Sequence, residues 1–218
     1  MVSGEMGEGN DLKARQNFSF FMLFSVIIST IFCIAGIIFR EPLLYAMGAD
    51  EALYALCETY AVPIFLLIPF AMISIVLQIF FVAAGKPGLG FGLSIADGLT
   101  NIALDYVLIA VVPLGVAGAA YATAAGYVLQ SVIGIIFFFM NRKGSLYFVR
   151  PKFDGKALLK ACSNGMSEMV GMLAVTITII AMNIILMGLV GSDGVAAAAI
   201  ILSVQTVLSA SYAGYIQG

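Results

Sequence analysis

The stretch AGKPGLGFGLSIADGLTNIALDYVLIAVVPLGVAGAAYATAAGYVLQ, residues 84–130, decides the fold. It opens on one lysine, Lys86, set among glycines and a proline. Two apolar runs follow, 89–112 and 116–140, separated by Pro113-Leu114-Gly115. Neither contains a lysine or arginine. The runs are 24 and 25 residues long, and a hydrocarbon core takes about 20 residues of helix at about 1.5 Å rise each. The stretch therefore predicts two antiparallel membrane-spanning helices joined by a tight turn.

Four similar runs lie outside it, at 18–39, 59–84, 165–190 and 195–217. The expected fold is an all-α membrane protein with six transmembrane helices. Composition agrees: 62% of the 218 residues are hydrophobic and 10% charged, with a mean hydropathy of +1.08. A soluble domain of this length has no use for so much apolar surface. The joints alternate in charge. Lys13, Arg15, Lys86, Arg142, Lys143, Arg150, Lys152, Lys156 and Lys160 fall on one side, and Arg40 alone falls on the other, near Glu41, Asp50, Glu51 and, further on, Asp193. Basic loops stay in the cytoplasm, so both termini are expected there. Topology accounts for the basic joint at 142–160, and no basic stripe suggests a nucleic-acid partner.

Three cysteines and no histidine leave little for metal or Cys–His chemistry. Neither a Ser–His–Asp set nor a phosphate-binding glycine loop is present, so the expectation is a non-enzyme without a metal site. Cys33 and Cys57 fit best as small apolar packing residues, although both belong near the outer face, where a disulfide is conceivable.

Residues 1–17 form a polar approach, and 40–53 an outer joint with a short amphipathic piece. The expected organisation is four spans in 1–140, a basic cytoplasmic linker at 141–164 and two further spans in 165–218. The linker holds Pro151 and a segment, 153–161, suited to a short helix on the membrane surface. Pro63 and Pro69 interrupt the second span, where each removes a backbone hydrogen bond and favours a bend. Gly118, Ala122 and Gly126 recur every four residues and mark a close-packing face.

Three carboxylates fall within spans: Asp97, Asp105 and Glu168. A charge at the bilayer centre costs about 2.5–3.5 kcal/mol on insertion scales, so such groups face protein or water, or stay protonated. Asp97, Asn101 and Asp105 are spaced i, i+4, i+8 and form one polar stripe. Asp105 lies seven residues from the outer end of its run and Thr123 seven residues into the next, which predicts similar depths. An acid beside an amide and a hydroxyl in low dielectric suits proton or cation exchange; a static hydrogen-bonded cluster is the alternative. Glu168 suits attraction of a cationic substrate or pairing with a lysine of the linker.

These residues resemble the multidrug and toxic compound extrusion (MATE) family, in its bacterial DinF- and MepA-like branch. The strongest likeness is in 84–130: a basic glycine-containing turn, Asn-x-x-x-Asp-Tyr at 101–106, then GVAGAAYAT at 115–123. REPLLYAMGAD before ETYAVPIF, SGEMGEGNDLKARQNF at the start, and NGMSEMVGML followed by GSDGVAAAAIILSVQ add to it. The resemblance implies two six-helix lobes with a central cavity and rocking alternating access. It also implies export of organic cations or drugs across the bacterial plasma (inner) membrane in exchange for H⁺ or Na⁺, with no other cofactor. Asn101, Asp105 and Thr123 match the family's proton- or cation-binding cluster, Tyr60 a tyrosine that joins it, and Glu168 an acidic position placed here with the substrate. Family members have about twelve helices, and this chain corresponds to helices three to eight, which suggests a fragment whose expected partners are the missing helices, membrane lipids and small organic cations. A lipid-linked oligosaccharide flippase of related architecture is the alternative transporter; an arginine-rich cavity would favour it, and no span here holds Lys or Arg. A non-transporting membrane assembly subunit is the third.

Overall fold

A computed structural model describes residues 2–46 and 51–217, without the side chains of 52, 53, 192, 193, 195, 207 and 210–217. Asp50 and the Asp193 side chain, both expected at outer joints, lie outside the described residues. The protein is all-helical: α1 Val2–Gly7, α2 Asp11–Ile38, α3 Arg40–Ala46, α4 Glu51–Ala83, α5 Pro87–Asp105, a π-helical segment Tyr106–Val111, α6 Val116–Met140, α7 Gly155–Leu189 and α8 Ser192–Gln217. Among the described residues, five helices are long and apolar enough to cross a membrane, and the chain is a multi-pass membrane protein. The run expected at 195–217 falls within α8, whose described apolar part is the shorter Ala196–Thr206.

The chain divides into two compact units, Met1–Asp154 and Gly155–Gly218. In the first, α4 packs against both α2 and α6, and α5 against α6. Small residues set these approaches. A Cβ on Gly134 of α6 would meet Leu77 Cδ1 of α4 at 2.6 Å, and one on Gly118 would meet the Leu108 carbonyl oxygen at 2.8 Å. Gly118, Ala122 and Gly126 are all buried, so the four-residue stripe is a contact face. α4 runs unbroken through Pro63 and Pro69. It ends at Gly85, whose positive φ of 69° lets the Lys86 amide reach back to the Phe81 carbonyl at 2.8 Å. That is a glycine helix stop, with Pro87 opening the next helix as a residue with no amide to lose.

The core of this unit sits at its basic end. Phe18, Phe81, Phe138, Leu77 and Leu146 are fully buried. The Phe18 ring lies 4.7 Å from Phe80 and 4.9 Å from both Phe138 and Phe148, within the range where edge and tilted aromatic pairs attract.

Three expectations need correction. The first span starts at Asp11 rather than at 18, because polar residues 11–17 continue the helix and are held. Lys13 pairs with Glu5 at 3.3 Å and Arg15 with Asp11 at 3.9 Å. The approach is not a free polar tail either: α1 folds onto α2, and the Glu5 carboxylate accepts two hydrogen bonds from Asn17 Nδ2 at 2.8 and 2.9 Å. The surface helix at 153–161 and the span after it are one helix, α7, of 35 residues. No proline interrupts α7, and glycine inside a helix costs only about 1 kcal/mol.

Residues 141–154 belong with the first unit. Arg15 donates to the Ser145 carbonyl at 2.9 Å and to the Tyr147 hydroxyl at 3.0 Å, with its guanidinium 4.3 Å over the Tyr147 ring. The Val149 amide donates to Ser19 Oγ at 2.9 Å, and Ser145 Oγ to the Ala84 carbonyl at 3.4 Å. The joints at 1–17, 84–87 and 141–150 thus meet at one end. At the other, Arg40 donates to Glu58 at 2.6 Å and to the Ile37 carbonyl at 3.1 Å. The hydrogen bond and charge of Glu58 raise the guanidinium above its ordinary value. In the second unit α7 pairs with α8, and most apolar side chains of both helices are exposed. The three cysteines are free.

Candidate functional site

The polar stripe of α5 meets α6 in a regular antiparallel register. Asp97 lies against Gly126, Asn101 against Thr123 and Leu108 against Gly118. Asn101 Nδ2 donates to Thr123 Oγ1 at 3.3 Å, and Thr123 Oγ1 donates to the Ala119 carbonyl at 3.0 Å. The hydroxyl is fixed between an amide and a backbone carbonyl, and the Asn101 carbonyl oxygen stays available as an acceptor.

Asp105 is one turn beyond Asn101. The α-helix ends on it and the π segment begins at Tyr106, with the Val112 amide reaching the Val107 carbonyl five residues back at 2.8 Å. Wide turns of this kind are rare and recur at functional sites. Here the wide turn carries the chain from the stripe toward the turn at 113–115, and Gly115, at φ 57°, starts α6. Asp105 Oδ1 is buried and has no hydrogen-bond partner. An unpaired carboxylate oxygen in such a place is costly; a proton or a cation would satisfy it.

Asp97, Gly98, Asn101, Thr123 and Tyr127 line an open cavity of about 240 Å³. Asn101 and Thr123 are therefore joined directly, and Asp105 is their neighbour on the next turn. The structure matches Thr123 in depth with Asn101 rather than with Asp105: equal residue counts on two helices do not give equal depths once one of them contains π turns. Tyr60 lines a different, largely apolar cavity of about 470 Å³ with Leu44, Cys57, Phe65 and Val116. Glu168 is exposed on α7, in the second unit. Tyr127 was not singled out from sequence; its place four residues after Thr123 was the available signal, since i and i+4 share a helix face.

The MatE family model matches residues 1–107. The multidrug export protein MepA of Staphylococcus saprophyticus is 30% identical over 155 residues, which is 69% of this chain and 34% of that protein. The chain belongs to the MATE family. MepA of Staphylococcus aureus strain RF122 is 29% identical over 140 residues, 64% of this chain and 31% of that protein. Two solved structures share the fold at 20% identity. An inward-facing multidrug-resistance MATE transporter has a TM-score of 0.82 over 89% of this chain and 45% of its own. A MATE in a bent conformation has 0.78 over 89% and 44%. The MATE chain thus spans about a third of the length of the curated relatives it matches.

Proposed function

We propose that this MATE chain is part of an ion-coupled antiporter that exports organic cations or drugs across the bacterial plasma membrane. MepA relatives named for multidrug export support the transport class. The observation that carries the coupling mechanism is the buried, unpartnered Oδ1 of Asp105, set one turn from the Asn101–Thr123 hydrogen bond.

Ionised Asp105 holds a positive charge, H⁺ or Na⁺, with the Asn101 carbonyl within one helical turn as a second oxygen donor. Occupancy neutralises the site and removes the penalty of a bare carboxylate at membrane depth. The occupied and empty states therefore prefer different surroundings, and alternation between them shifts the population of lobe conformations. In this scheme Glu168 attracts the cationic substrate, while Tyr60 borders the apolar cavity toward the outer end of α4. Both termini of the chain face the cytoplasm, as the basic joints require.

The test uses the full-length protein in proteoliposomes. Asp105→Asn keeps the size and one acceptor but cannot ionise, and it should abolish efflux driven by an imposed H⁺ or Na⁺ gradient at normal expression. Gradient-driven efflux that survives Asp105→Asn would remove the assignment.

A further inference from the structure

A second acid on α5 takes no part in that scheme. Asp97 is eight residues before Asp105 on the same stripe, about 12 Å along the axis at about 1.5 Å per residue. Its carboxylate is turned to α6: Oδ1 occupies the space that a Cβ on Gly126 would need. It also lines the cavity shared with Asn101, Thr123 and Tyr127. Thr123 and Tyr127 stand four residues apart on α6, the first bonded to Asn101 and the second one turn nearer the level of Asp97.

Among the described residues of the helices packed around it, no cation compensates Asp97. α6 has no Lys, Arg, Asp or Glu between 116 and 140, and its titratable group on the cavity is Tyr127. α4 has none of these residues between 59 and 83, and its tyrosine in that range, Tyr60, lines the other cavity. The titratable groups of α5 at these levels are Asp97 and Asp105 themselves. A carboxylate so placed is kept at a cost unless it is hydrated or protonated in use. The cavity, about 240 Å³, has far more room than one water molecule requires and has polar walls to hold it.

We propose that Asp97 is a proton-relay carboxylate, which receives the proton released by Asp105 through the water and hydroxyls of this cavity and passes it toward the Lys86 end of α5. This rests on Asp105 being the exchanging acid. In the transfer, the carboxylic acid of Asp105 loses H⁺ and becomes a carboxylate. The carboxylate of Asp97 gains that H⁺ and becomes the acid, so the pair keeps one negative charge throughout. The 12 Å gap, about 1.5 Å times eight residues, is too long for direct transfer; Asn101, Thr123 and Tyr127 line the cavity beside Asp97, and Asp105 lies one turn beyond Asn101. Gly126 is the clearance that lets Asp97 face the cavity.

Full-length protein in proteoliposomes, with ethidium as the organic cation and an imposed pH gradient, tests this. Asp97→Asn should slow gradient-driven ethidium exchange by roughly tenfold or more, in line with the loss of a positioned proton carrier, and should flatten its pH profile. Equilibrium ethidium binding should persist, and Asp97→Glu should restore most of the rate. Gly126→Ala, which leaves both acids in place but crowds Asp97 off the cavity, should slow exchange in the same way and carries the test should Asp97→Asn fail to fold. A wild-type rate and pH profile in Asp97→Asn, or in Gly126→Ala if only that variant folds, overturns the relay. If Asp105→Asn is inactive in the same experiment, the relay alone has failed; if Asp105→Asn is active, the exchanging-acid scheme has failed with it.

Discussion

Alanine at Gly118 tests the packing that positions the site. The added Cβ would stand 2.8 Å from the Leu108 carbonyl oxygen, 3.0 Å from its carbon and 3.1 Å from Leu108 Cβ. Two of these three atoms are backbone, in the π segment that follows Asp105, so no flexible side chain can move aside. Overpacking of this kind costs about 1–3 kcal/mol. Alanine is the better helix former by about 0.5–1 kcal/mol, which offsets part of it. The expected net loss is about 0–2.5 kcal/mol, up to roughly a 70-fold fall in the folded-to-unfolded ratio. Gly92 provides the opposite case on α5, since a Cβ there meets nothing within 4 Å. Gly92→Ala should gain about 0.5–1 kcal/mol from propensity alone. The assay is SDS titration of the purified 218-residue chain in detergent micelles, followed by circular dichroism. If Gly118→Ala is as stable as Gly92→Ala, α6 does not press on the π segment and the register used throughout is wrong.

Leu77→Ala empties a fully buried position facing Gly134 and should cost roughly 2–5 kcal/mol in the same titration, well above a substitution on the exposed face of α4. Arg15→Ala removes two hydrogen bonds and a ring contact to residues 145 and 147; hydrogen exchange at 145–149 should quicken while that at α6 is unchanged. Maleimide labelling in micelles should reach exposed Cys162 first, half-buried Cys57 next and buried Cys33 last, because accessibility governs thiolate attack.

The membrane-spanning runs were legible because hydrocarbon thickness translates directly into apolar length, and the Gly118–Ala122–Gly126 stripe because close approach needs small residues at a fixed spacing. That α5 and α6 are neighbours was legible because a three-residue turn joins them, but equal residue counts matched Thr123 with Asp105, whereas the structure bonds it to Asn101. What failed was polarity read as exposure. Glu5, Asn17 and Arg15 sit in segments that composition assigns to water, yet they build the folded basic end, because each finds a partner more than ten residues away along the chain. Phe148 and Leu146 were likewise hidden in a basic linker, though both pack in the aromatic core. Hydropathy averages over a window and cannot see one apolar anchor among lysines.

The π segment shows the same limit at the site itself. From sequence, 89–112 is one uniform run, and nothing in Tyr106–Val111 differs in kind from the apolar residues before it. The wide turn begins where the stripe ends: α5 keeps Asp97 and Asn101 toward α6, and Leu108 within the π segment meets Gly118. A regular helix turns about 100° per residue, so position 108, seven residues on from 101, shares the face of Asn101 with or without the wide turns, while 109 lies about 80° away from it. The α-helical stripe ends at Asp105 and the π segment takes over at Tyr106. The acid therefore occupies the last α-helical position before the backbone changes its period, with one oxygen buried and unpaired. A carboxylate at such a boundary can respond to charge by local repacking of the wider turns, whereas one in mid-helix is held by a full ladder on both sides.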